Sequence, residues 1–321
     1  QNAVTMMNEF GTIDGGLNMG DTCIDTWLDD FTFVDPLMSI GKPFLLAIGN
    51  HDVGLNYTIS NTGSTTQAYT RFIQPYEAQI GGTHAGKNYY YKDWATYKVR
   101  TIVLYEYDND DVDPGDPLLY RIKKTTRVWS QAQIDWLVTT LNSTPSDYAV
   151  VITMHQIVQD QLTWTSSTFT DINNIAVGDS STVSDEAIIP AIVNAWIDGT
   201  TLVGSYPFIG EGAYLANISV NANFTARGVG HFICYMAGHA HVDAVGTVVG
   251  YPDQTQLVLT CATSDANRNK YGDLQRQVGK RSEDSINVVS FDTSNRQIKI
   301  ARIGAQITFD MRKRDFIAID Y

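Results

Sequence analysis

Cysteine is scarce in this chain. Cys23, Cys234 and Cys261 are the full set among 321 residues, and no Cys-x-x-Cys occurs. Three cysteines make no disulfide framework, although one bridge plus one free thiol stays open. No run approaches the ~18 apolar residues that a membrane-spanning helix needs, so no transmembrane segment is expected. Positive charge is the other shortage: 22 Lys and Arg stand against 35 Asp and Glu, for a net charge of −13. Such a surface repels nucleic-acid backbones, and no basic run offsets it, so nucleic-acid binding is set aside.

What the chain does contain is apolar sequence in short pieces. It is 43% hydrophobic and 18% charged, enough for a sizeable core and too apolar for bulk disorder. With no internal repeat and no interdomain linker, residues 1–321 read as one domain. "LNMGD", "PFLLAIGNHD" and "HFICYMAGHAHVD" each read as an apolar strand running into Gly and polar residues, and "DYAVVITMHQ" as a strand ending in a histidine. "AVTMMNEF" reads as the tail of a helix, and "STTQAYTRFIQPYE" as a helix ended near Pro75. In "WSQAQIDWLVTTLNS" Ser130 can cap a helix whose apolar stripe is Ile134, Leu137, Val138 and Leu141. "SDEAIIPAIVNAWI" reads as a second helix. Residues 156–180 and 203–228 read as irregular loop insertions, and the last third as successive antiparallel strands. Strands alternating with helices, then hairpins, predict a layered α/β sandwich.

The four strand ends carry the chemistry. "GDTCID" supplies Asp21 and Asp25; "GNHD" supplies Asn50, His51 and Asp52; "TMHQ" supplies His155; "GHAHVD" supplies His239 and His241. In open α/β sheets ligand sites lie beyond the carboxyl ends of strands, so residues far apart in sequence can meet there. Carboxylate, imidazole and amide oxygen together suit Mn²⁺, Fe or Zn²⁺ better than Ca²⁺, which takes oxygen only. Each piece alone has an ordinary reading. Asp21 suits a turn after Gly20, His155 a core or surface position, and residues 50–52 a hydrogen-bonded turn. Those readings must all hold at once, and must also explain why four of six histidines sit just past apolar strands.

In this order the motifs resemble those of the calcineurin-like metallophosphoesterases: GDxxD (here "GDTCID", with one more residue before the second Asp), GNH(D/E), a lone His after a strand, and GHxH. The resemblance spans about residues 15–303. It implies a four-layer α/β/β/α sandwich and a metal-dependent phosphoesterase, hydrolysing a small phosphomonoester or phosphodiester with metal-activated water. It also implies two divalent or trivalent ions, Mn, Fe or Zn. Asp21 is expected to bridge them; Asn50, His155 and His239 to complete the second site; and His241 to serve the first. His51 is expected to stay uncoordinated and face the leaving group, with Asp52 holding its ring and Asp25 supporting the loop. Two ions can bind the phosphate oxygens and acidify a water. Asn50 ligates without adding negative charge where phosphate must enter.

The family carries one more motif, Asp-x-His, upstream of GDxxD, which supplies two ligands to the first ion. No Asp-x-His occurs here, and Asp14 is the one aspartate before Asp21. The expectation is therefore a chain that begins inside the helix after a missing first strand, by truncation or processing. Its first metal site is then incomplete, with Asp21 and His241 alone. That gap favours the alternative, a non-catalytic binding module on the same fold at a cell surface or virus particle; the intact GNHD and GHAHVD favour the enzyme. Elsewhere His84 reads as a loop histidine and His231 as structural. Tyr89, Tyr90, Tyr91, Trp94 and Tyr97 read as sheet packing, and Tyr105 to Asp108 as candidates for lining the cleft.

Overall fold

The computed structural model describes residues 8, 13–22, 34–50, 52, 68–82, 86–108, 129–156, 158, 162–163, 188–206, 217–239, 244–259, 285–304 and 316–321, and the structural statements that follow concern these. In chain order the strands are β1 (Gly16–Asn18), β2 (Phe44–Leu46), β3 (Tyr90–Trp94), β4 (Val99–Val103), β5 (Ala149–Thr153), β6 (Leu162–Thr163), β7 (Thr201–Tyr206), β8 (Ile218–Asn223), β9 (His231–Ala237), β10 (Ala244–Val248), β11 (Tyr251–Val258), β12 (Ser285–Asp292), β13 (Gln297–Gly304) and β14 (Phe316–Asp320). The two longest helices are α1 (Gln131–Asn142) and α2 (Ile188–Asp198). The fold is mixed α/β.

A seven-stranded sheet in the order β3-β4-β5-β9-β11-β10-β6 forms the middle layer. β4, β5, β9 and β11 run parallel, with β3 and β10 added antiparallel beside them. β5 is nearly all buried Val, Ile and Thr, the composition of a strand covered on both faces. On one face Ile102, Val150 and Ile152 pack with Ile134, Leu137 and Leu141 of α1 and Ile192 and Trp196 of α2. On the other face Val99, Val151 and Leu257 pack against Ile298 and Ile300 of the three-stranded sheet β12-β13-β14. Each buried aliphatic side chain contributes about 1.5–3 kcal/mol, so both faces hold the middle strands firmly.

The parallel pair β1-β2 sits on that second face. Leu17 packs against both the β13 cluster and the cluster containing Leu45, Ile48, Ile73 and Tyr90. The Tyr90 hydroxyl accepts from the Leu46 N–H (2.7 Å) and donates to the Leu46 carbonyl (2.9 Å), satisfying the outer edge of β2. α1 forms as its sequence predicts. The Ser130 hydroxyl accepts the Gln133 N–H at 3.0 Å, and Ile134, Leu137 and Leu141 are fully buried.

Three expectations are corrected. The helical run does not end near Pro75: a π-turn Tyr69–Ile73 leads into a 3-10 turn Gln74–Tyr76 and an α-turn Glu77–Ile80. Pro75 lies in the first turn of its segment, where its missing N–H forfeits no helical bond. The stretch read as irregular over 203–228 contains most of a six-residue antiparallel hairpin, β7-β8. The Gln131 amide clamps it, accepting the Ser219 N–H (2.8 Å) and donating to the Ser219 carbonyl (2.7 Å). In the last third, β10-β11 and β12-β13 are antiparallel hairpins, but they belong to different sheets and β11 lies parallel beside β9. Within 156–180, Leu162–Thr163 pairs with β10. "AVTMMNEF" lies outside the described residues apart from Asn8, which is helical.

Candidate metal centre

Two parallel ladders deliver the site. The β1-β2 ladder continues past its last pair, with Ala47 N–H donating to the Asn18 carbonyl at 2.8 Å. The β5-β9 ladder continues likewise, with Met154 N–H to the Met236 carbonyl (3.1 Å) and Gly238 N–H to the His155 carbonyl (2.9 Å). The segments carrying Asp21, Asn50, His155 and His239 are therefore held in register to within a few residues of each side chain.

Close approach at the crossing demands glycine. A Cβ on Gly20 would lie 2.6 Å from both the Gly49 nitrogen and His155 Nδ1, and Gly20 has φ +91°. A Cβ on Gly49 would overlap the Asp21 carboxylate and amide. These contacts are the physical content of the Gly in "GD" and in "GN". Asn18 Oδ1 accepts the Gly20 N–H at 2.8 Å and shapes the turn. Asp21 and His239 themselves hold left-handed backbone, φ 53° and 59°. Such conformations cost non-glycine residues about 1–2 kcal/mol and collect at functional sites.

His155 is the hub. It is 1% exposed. Its Nδ1 lies 2.7 Å from the Met19 carbonyl, which can only accept, so Nδ1 carries a proton. Its Nε2 faces Asn50 Oδ1 at 2.9 Å, His239 Nδ1 at 3.0 Å and Asp21 Oδ2 at 3.2 Å. One candidate ligand atom from each of Asp21, His155 and His239 lies within 4.8 Å of the others, the one such group of His, Cys, Asp or Glu among the described residues. Electron-rich atoms so arranged need a positive charge between them, a proton or a cation. Ligands bound at about 2.0–2.2 Å and subtending a right angle stand roughly 3.0 Å apart, so the spacing suits donors sharing one ion. A ligand histidine whose other nitrogen donates to a backbone carbonyl is the usual arrangement at metal sites.

The sequence-predicted residues divide accordingly. Asp21, Asn50, His155 and His239 come together. Asp52 is buried beside them, its carboxylate accepting the Gly49 N–H at 2.8 Å. Asp25, His51, His84 and His241 lie outside the described residues. His231 opens β9 at the far end of the strand and is exposed. Tyr89 and Tyr90 are buried in the core, whereas Tyr97 is 52% exposed. Tyr107 and Glu106 are completely buried, and the Glu106 carboxylate accepts the backbone N–H groups of His155 and Gln156. Its place in "YEYD", just past an apolar strand, was the only signal for it.

No protein-family model and no curated protein sequence matches the chain. Among solved structures, the fold is similar to that of a dimetal phosphatase from Danio rerio, with a TM-score of 0.55 and 12% identity, covering 100% of this chain and 87% of that one.

Proposed function

We propose that this protein is a metal-dependent phosphoesterase of the calcineurin-like type, hydrolysing a phosphomonoester or phosphodiester. The observation that carries the reading is the convergence of Asp21, Asn50 and His239 on Nε2 of His155. The similarity of the whole chain's fold to a dimetal phosphatase supports it. The fold proposed with it is the four-layer sandwich, as a single domain over 1–321 with insertions near 156–180 and 203–228, the second carrying most of the β7-β8 hairpin, that set substrate choice.

Asp21, Asn50, His155 and His239 would hold one ion, and Asp21 with His241 would contribute to a second, with Mn, Fe or Zn as the expected metals. When bound, such ions polarise the phosphoryl oxygens and acidify an attacking water. The chain's own residues do the rest. Asp21 supplies the single carboxylate of this donor set, and Asn50 adds a neutral oxygen, so a phosphate anion is not repelled by excess charge. His155, its Nδ1 held by the Met19 carbonyl, presents Nε2 to the site, where an ion would take the place of the proton. His51 is assigned to protonate the departing alkoxide, a role worth about 10²–10⁴-fold, with Asp52 orienting it.

The test is metal analysis of the purified protein, together with turnover of p-nitrophenyl phosphate and bis(p-nitrophenyl) phosphate in Mn²⁺, against Asp21→Ala. Bound metal and hydrolysis, both lost in the variant, are expected. Absence of both in the unmodified protein overturns the proposal. Bound metal with no turnover of either ester overturns the hydrolase and leaves the non-catalytic binding module.

A further inference from the structure

The β4-β5 ladder stops one residue short of where the site needs it. Leu104 N–H still donates to the Thr153 carbonyl at 2.9 Å. Beyond that point a side chain takes the place of backbone. Glu106, completely buried, turns its carboxylate to the next stretch of the β5 chain. Oε2 accepts the His155 N–H at 2.9 Å, and Oε1 and Oε2 accept the Gln156 N–H at 2.8 and 3.0 Å.

The platform under Glu106 is fixed in turn. The Gln133 amide holds both sides of Tyr105, accepting its N–H (2.9 Å) and donating to its carbonyl (2.8 Å). Gln156 Nε2 donates to the Tyr107 hydroxyl at 2.8 Å. Asp108 accepts from the Ser130 hydroxyl at the start of α1. The "YEYD" segment is therefore anchored to α1 on one side and grips the His155–Gln156 backbone on the other.

A buried carboxylate is an expensive way to satisfy two amide protons. Its desolvation costs several kcal/mol, and a neutral acceptor would do. What the charge adds is stiffness, because hydrogen bonds to an ionised acceptor are shorter and roughly twice as strong as neutral ones. Met19 fixes the far side of the same residue, at ring Nδ1. Held at its backbone and at its ring, His155 has little freedom left for Nε2.

We propose that Glu106 is a positioning residue of the metal centre, acting through the His155 main chain to hold Nε2 at its place among Asp21, Asn50 and His239. The inference rests on the metal-centre reading. It gives Glu106 no contact with the ion or with substrate.

The experiment is Mn²⁺ titration of the full chain by calorimetry, comparing the unmodified protein, Glu106→Gln and Trp196→Phe. Glu106→Gln keeps the shape but turns one acceptor oxygen into an NH₂ that cannot accept. Trp196→Phe perturbs the core by Gly230, at the opposite end of β9. Glu106→Gln should bind Mn²⁺ about 10- to 100-fold more weakly, the usual effect of losing a group behind a ligand. Trp196→Phe should stay within about 2-fold of the unmodified protein. The amide proton resonances of His155 and Gln156 should lie downfield in the unmodified protein and move upfield in Glu106→Gln.

If the unmodified protein binds no metal, the metal-centre reading fails and takes this inference with it. If it binds metal and folded Glu106→Gln binds equally well, the positioning role alone is overturned. Should Glu106→Gln not fold, the amide resonances of the unmodified protein decide. Downfield, exchange-protected signals support the clamp, and signals at random-coil positions overturn it.

Discussion

Replacing Gly20 with alanine tests whether the site is built by the crossing of two chain segments. Two costs are legible in the structure. The first is conformational: at φ +91° an L side chain is strained by about 1–2 kcal/mol. The second is steric: the new methyl would sit 2.6 Å from the Gly49 nitrogen and from His155 Nδ1. Neither neighbour can yield freely, since Gly49 N–H is bonded to Asp52 and His155 Nδ1 to the Met19 carbonyl. Overpacking against such fixed atoms costs about 1–3 kcal/mol. Gly41→Ala is the control, because φ is +76° and nothing lies within 4 Å of its added Cβ. It carries the conformational cost alone, and the unfolded-state gain common to Gly→Ala changes cancels between the two. Urea denaturation should therefore find Gly20→Ala less stable than Gly41→Ala by about 1–3 kcal/mol, the steric cost alone. Mn²⁺ affinity should fall in Gly20→Ala only. Equal costs for the two variants, or intact metal binding by Gly20→Ala, would refute the crossing.

Two further outcomes are expected. Burial by itself pushes the His155 imidazole down, but the Asp21 carboxylate, its hydrogen bond, the Glu106 carboxylate and the Met19 carbonyl together carry it up to about 9. Against about 6.5 in the unfolded chain, the charged ring contributes its full stabilisation, about 3 kcal/mol, below pH ~6.5 and loses it as pH rises through about 9. With chelator present, the stability difference between the unmodified protein and His155→Gln should thus shrink between those limits, and a constant or growing difference refutes the assignment. Because an ion must displace that proton, Mn²⁺ affinity should rise through the same window. Ser130→Ala removes the cap of α1 and a donor to buried Asp108, so calorimetric melting should show a loss of about 1–2 kcal/mol. A loss below a few tenths contradicts the cap.

The parts visible in sequence are those governed by local rules. An apolar strand followed by a ligand-type side chain, with glycine between them for Asp21, Asn50 and His239 and none for His155, marked these four without any partner in view. Ser130 followed by an apolar stripe marked α1. The hidden parts depend on residues far away. β7 alternates exposed and half-buried positions and carries Gly204 and Ser205, so its strand character comes from pairing with β8 and from the Gln131 clamp. Glu106 makes its contacts with residues 49 and 50 positions away, through their backbone, which leaves no side-chain pattern to read. Pro75 misled because a helix-breaker in mid-helix is harmless at the start of a new turn.

The distance along the chain between the converging donors bears on how the molecule assembles. His155 meets Asn50 across 105 positions and His239 across 84; the first meeting requires the β1-β2 pair docked near the end of β5, the second the parallel β5-β9 pair. Long-range parallel pairings form slowly, since loop closure must precede any reward. An ion therefore has no assembled cradle to bind during early collapse. A bound ion would act as a late lock, slowing escape from the native state while leaving the rate of arrival unchanged.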